Sequence, residues 1–120
     1  MGSQTNAHLR TGQSGENLAA AYLQQQGYTV LHQNYRYKRA EVDIIVQKND
    51  LLVFVEVKTR TSDRYGYPEE AVNSRKEELL LSAADAFILE QGWQHEARFD
   101  IISVTLTAPP TIHHIKDAFH

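Results

Sequence analysis

The chain has 120 residues, a net charge of −3 and no cysteine. That length suits one domain with a real core, and the missing thiols exclude disulfides, thiolate metal sites and cysteine nucleophiles. No apolar run approaches a membrane span and the N-terminus lacks a signal-peptide core, so a cytoplasmic location with no membrane partner is expected. The charge is unevenly spread. Residues 35–64 hold seven Lys/Arg against five acids, and the remainder holds five against ten. If a metal occupies three of the central acids, the centre is distinctly basic and suits a polyanion. A solvated hairpin rim fits the same charges.

Taken in order, Met1 to Gln13 is polar and without period, which reads as a flexible arm ahead of a single domain over 14–120. A first helix is predicted from Gly15 to Gln26, with the stripe Leu18, Ala19, Tyr22 and Leu23 and a stop at Gly27. Glu16 lies in its first turn at the edge of that stripe. A first-turn acid favoured by the helix dipole fits this position; so does an acid reaching toward the strands that follow. Tyr28 to Tyr35 suits a first strand. Arg36 to Gln47 and Leu51 to Thr59 suit a hairpin about Asn49–Asp50. Thr61 to Tyr67 is a loop, and Pro68 fits the first turn of a second helix from Glu69 to Gln91. The stripe of that helix is Val72, Leu79, Leu80, Ala83 and Phe87, and Lys76 falls on it. Two readings fit Lys76: a packed stem with its ammonium in water, or a phosphate contact at a site rim. Ala97 to Leu106 is a strand, apolar on both faces toward its end and therefore interior. Thr111 to Ile115 is a short edge strand beyond Pro109–Pro110. The order αβββαβ(β) describes an α/β fold, a mixed sheet flanked by helices.

The hairpin carries the chemistry. With Lys48 facing Leu51, Asp43 is expected opposite Glu56, and Glu41 opposite Lys58. All four then share one face, and Val42, Ile44, Val46, Val53, Val55 and Val57 take the other. Facing carboxylates repel, and a divalent cation between them removes that cost. Two carboxylates with the Val57 carbonyl form a hard oxygen set suited to Mg²⁺ or Mn²⁺. Lys58, two residues from Glu56, is placed to stabilise charge on phosphate oxygens. An ordinary solvated hairpin with a Glu41–Lys58 ion pair satisfies the same pattern. Against it, Ile45 and Phe54 share the acidic face. The histidines show no ligand-pair spacing, and His113 and His114 point to opposite faces.

The segments GENLAAAYLQQQGY, AEVDIIVQ, LLVFVEVKTR, YGYPEEAV with Lys76, and RFDIISV, in this order over residues 15–106, resemble the bacterial YraN-like family. That family is described as uncharacterised, with a restriction-endonuclease-like fold related to archaeal Holliday junction resolvases. The resemblance implies that Asp43, Glu56 and Lys58 are a nuclease signature, that Glu16 is the family's helix acid, and that Glu41 is the acid two before the aspartate. Ala40 stands where the family commonly has Gly. The implied activity is a Mg²⁺- or Mn²⁺-dependent endonuclease on DNA, branched or damaged. Arg36, Lys38, Arg39, Arg60, Arg64 and Lys76 would meet phosphates. A homodimer is implied where two strands must be cut. A non-catalytic nucleic-acid-binding module would keep the same fold, and a protein-interaction domain would show no salt-dependent DNA affinity.

Overall fold

The computed structural model describes residues 3–61 and 74–119. The elements are α1 (Ser3–Gln25), β1 (Thr29–Tyr37), β2 (Ala40–Lys48), β3 (Leu51–Arg60), α2 (Ser74–Gln91), β4 (Glu96–Thr105) and β5 (Thr111–Ile115). One five-stranded sheet runs in the order β1-β2-β3-β4-β5. Its β3–β4 pair is parallel and its other pairs are antiparallel. The parallel pair needs a crossover, which α2 supplies. The fold is α/β, a mixed sheet with two helices.

The helices cover opposite faces. Ala19 and Leu23 of α1 pack on Ile44, Val46, Val53, Val55, Ile102 and Val104. Leu80, Ala83 and Phe87 of α2 pack on Tyr35, Val42, Ile45, Leu52 and Phe54. Aromatic rings line the α2 face: Phe99 stacks on Phe54 and on Phe119, each at 5.3 Å between centroids. The central strands are buried on both faces because alternate positions feed two different cores. Among the described residues no helix is long and apolar enough to cross a membrane.

Both helices stop at a glycine with positive φ, Gly27 at 94° and Gly92 at 63°. At Gly27 the Tyr28 N–H bonds to Leu23 O and the Gly27 N–H to Gln24 O, both at 3.0 Å, a complete Schellman closure. Gly15 has a different reason. It is buried, and a Cβ there would overlap Thr59 Oγ1. The missing side chain lets α1 lie directly on the end of β3, and Glu16 follows it in sequence.

Four expectations need correction. Helix α1 begins at Ser3, not Gly15. Residues 3–13 carry no apolar period to announce a helix, but extending an existing helix costs far less than starting one. Arg36 and Tyr37 belong to β1, and the turn is the two-residue loop Lys38–Arg39 closed by Tyr37↔Ala40. Lys38 there has φ 55°, the value Asn49 adopts in the next loop; Asn advertises such a conformation and Lys does not. The β2–β3 register holds from Lys48↔Leu51 to Ile44↔Val55 and stops. Asp43↔Glu56 and Glu41↔Lys58 are therefore not ladder pairs. Finally, Val42 packs on the α2 face with Ile45 instead of joining Ile44 and Val46. Alternation breaks once between them. Between Gln33↔Ile44 and Tyr35↔Val42, level with Asp43, Asn34 takes a left-handed φ of 56°. Pro68, Glu69 to Val72 and most of the loop from Thr61 to Tyr67 lie outside the described residues.

Candidate metal and phosphate cleft

The site sits where β2 and β3 separate. Past Ile44↔Val55 the ladder bond is replaced by a side chain: Asp43 Oδ2 accepts the Val57 N–H at 2.8 Å. A cleft of about 370 Å³ opens there, lined by Arg39, Glu41, Asp43, Glu56, Val57, Lys58 and Lys76. Glu56 reaches it from the α2 face of β3, with its side chain only 7% exposed. Lys76 reaches it from α2, its Nζ 2.6 Å from Glu56 Oε2. That contact is a close ion pair to a buried carboxylate oxygen.

The two carboxyls cannot both ionise easily. Burial, a hydrogen bond to Glu56 and the Glu56 charge raise Asp43 from its usual 3.8 to about 8, against the opposing pull of the Val57 N–H. Asp43 therefore keeps its proton into the neutral range. The two ammoniums differ. Burial and the neighbouring Lys76 lower Lys58. Lys76 is opposed by burial, but Glu56 wins and raises it. Burial and the charge of Glu41 raise Glu16, and a hydrogen bond from Asn34 opposes them.

The structure thus gathers Glu41, Asp43, Glu56, Val57, Lys58, Lys76 and Arg39 around one cleft. Glu16 stands back from its wall, within electrostatic range. Glu41 does not pair with Lys58; it faces Arg36 across β1, 3.5 Å away, with Arg36 77% exposed. Such a pair contributes little. Lys38 lies with its Nζ 5.2 Å from the Tyr37 ring centroid. Arg60 is fixed through its carbonyl, which accepts the Leu106 N–H. Arg64 lies outside the described residues. Asn34, which holds Glu16, was not foreseen; an Asn inside a strand was its only signal.

Among the described residues no three His, Asp or Glu side chains form a metal cage. Two adjacent carboxyls, the buried Glu56 and the half-buried Asp43, fit a hard divalent cation that keeps several waters. They do not fit a closed zinc or calcium site.

A second polar cluster lies away from the cleft. His114 Nε2 is 2.7 Å from Asp100 Oδ2, and its Nδ1 is 3.1 Å from Tyr22 Oη. Arg98 donates twice to Asp100 and once to Tyr28 Oη. The Asp117 N–H also donates to Asp100, at 3.1 Å. Burial opposes ionisation of Asp100, yet these donors outweigh it and hold the carboxyl below its usual range. The cluster ties α1, β4 and β5 together.

The model of the family described as "Uncharacterised protein family UPF0102" matches residues 15–104. A UPF0102 protein of Syntrophus aciditrophicus (strain SB) is 46% identical over 115 residues, spanning 93% of this chain and 90% of its own length. One of Chlorobium chlorochromatii (strain CaD3) is 41% identical over 121 residues, spanning 95% and 94%. UPF0102 protein FP2501 of Flavobacterium psychrophilum is 40% identical over 114 residues, spanning 94% and 96%. The matched span contains the whole of the cleft lining, from Arg39 to Leu80, together with Glu16 behind it, and this chain belongs to the UPF0102 family.

Proposed function

We propose that the cleft is the active site of a restriction-endonuclease-like protein that hydrolyses phosphodiester bonds in DNA with Mg²⁺ or Mn²⁺. One observation carries the reading: two neighbouring carboxyls, Asp43 and Glu56, meet two lysines, Lys58 and Lys76, in one cleft at the point where the sheet opens. Asp43, Glu56 and the Val57 carbonyl would hold the cation, which supplies Lewis acidity to the phosphoryl oxygens. Asp43 gives up its proton when it takes on that role, so binding is pH-dependent. Lys58 donates to a non-bridging oxygen as charge grows there, and its partial burial strengthens the interaction. Lys76 leaves Glu56 for a phosphate oxygen, and Arg39 holds the adjoining phosphate. Glu16, through Asn34, biases the field at the rear of the cleft.

A second reading is favoured by the Lys76–Glu56 contact, since an ammonium already neutralises that carboxylate. In it the cleft binds DNA phosphates without cutting. The test is cleavage of duplex, single-stranded and four-way DNA with Mg²⁺ or Mn²⁺, alongside Glu56→Gln and Lys58→Met. Cutting that disappears in both variants supports hydrolysis. Cutting that survives both removes the site as drawn. Salt-dependent binding without cutting favours the second reading.

A further inference from the structure

Beside the cleft lies a smaller pocket of about 250 Å³ whose walls include Tyr37, Lys38, Arg39, Arg75 and Leu79. Arg39, Ala40 and Leu79 line both spaces, so the two adjoin. We propose that this pocket takes an unpaired nucleobase next to the phosphate held in the cleft, which makes DNA with a single-stranded tail or flap the preferred substrate class. The inference rests on the nucleic-acid reading of the cleft and adds the form of the DNA.

Its composition selects the occupant. The Tyr37 ring, Ala40 and the Leu79 side chain give apolar surface that a lone phosphate has no use for. Lys38, Arg39 and Arg75 give a cationic rim that an apolar ligand has no use for. No acid lines the pocket among the described residues. A flat π-system joined to a phosphate uses both. The Lys38 ammonium lies over the Tyr37 ring, 5.2 Å from its centroid, a cation–π contact that an entering base would displace toward the adjoining phosphate. Sequence placed Lys38 and Arg39 within a strand. As the tip of a two-residue turn they stand beside Tyr37, which closes that turn against Ala40.

The pocket adjoins the cleft, so the base that enters it is close to the held phosphate. In a duplex that base must leave its stack and its partner, which costs free energy. In a tail or flap it is already out. Stacking on an aromatic side chain then strengthens binding by about tenfold or more.

The experiment measures binding in EDTA by the full chain to two DNAs: a blunt duplex, and the same duplex with a tail carrying 2-aminopurine at its first unpaired position. The tailed DNA is expected to bind about tenfold more tightly, with 2-aminopurine fluorescence quenched. Tyr37→Leu should bring tailed affinity down to the blunt level and abolish the quench. Tyr37→Trp should restore both, which guards against a variant that misfolds. Equal affinity for both DNAs without a quench, or a quench that survives Tyr37→Leu, overturns this inference and leaves the cleft reading intact. Failure to bind either DNA overturns both.

Discussion

Replacing Asp43 with Asn tests the electrostatics of the cleft without changing its shape. Asn matches the protonated acid: Oδ1 can accept the Val57 N–H, and Nδ2 can donate to Glu56 as the Asp43 proton does. The native acid is raised from 3.8 to about 8, so between those values the folded chain holds a proton that the unfolded chain has released. Native stability therefore falls as pH rises through that window and levels off above it. The full gap sets an upper limit of roughly 6 kcal/mol. Partial exposure and the lysines nearby reduce this to about 2–3 kcal/mol. Urea unfolding of both proteins from pH 4 to 9 should show little difference at the acid end. At the alkaline end Asp43→Asn should be more stable by that amount. Mg²⁺ should recover the loss in the native chain and leave the variant unmoved. Native stability that stays level with the variant, or rises relative to it, from pH 4 to 8 refutes the raised pKa of Asp43.

Lys76→Met leaves Glu56 buried without its ammonium; urea unfolding should show a loss of about 1–2 kcal/mol, given that Lys76 is 37% exposed. Gly15→Ala forces a methyl against Thr59 Oγ1 and should cost about 1–3 kcal/mol, read from the thermal midpoint, with partial recovery when Thr59→Ala is added. Asp100→Asn should cost about 3 kcal/mol at pH 7, because Arg98 and His114 lose a buried partner. The lowered carboxyl stabilises the native chain above the ordinary aspartate range and loses that effect as pH falls through its folded value. The acid limb of the stability curve should thus flatten in the variant.

The site was legible where backbone regularity carries side chains with it. Alternating valines and the Asn49–Asp50 turn set the register of five β2–β3 pairs, and those pairs stand. The opening at Asp43 was not legible, because one break in alternation leaves no mark in composition. It nevertheless moves Val42 to the α2 face and turns a ladder pair into a side-chain cap. The residues expected to converge still do, since Glu56 and Lys58 lie on β3 beyond the break. The Lys38–Arg39 turn was hidden by its lack of Gly, Asn or Asp, and with it the Arg36–Glu41 pairing. The Asp100–His114 contact spans two strands and depends on a β4–β5 register that no hairpin turn announces.

The cap on Val57 has a practical corollary. This one amide owes its hydrogen bond to a titrating side chain instead of to a neighbouring strand, so it is wired to the state of the cleft. Its NMR shift and exchange rate should follow Asp43 through a midpoint near 8, and move again when a cation draws the carboxylate away. Occupancy of the cleft can then be read from a single backbone resonance, with no substrate present.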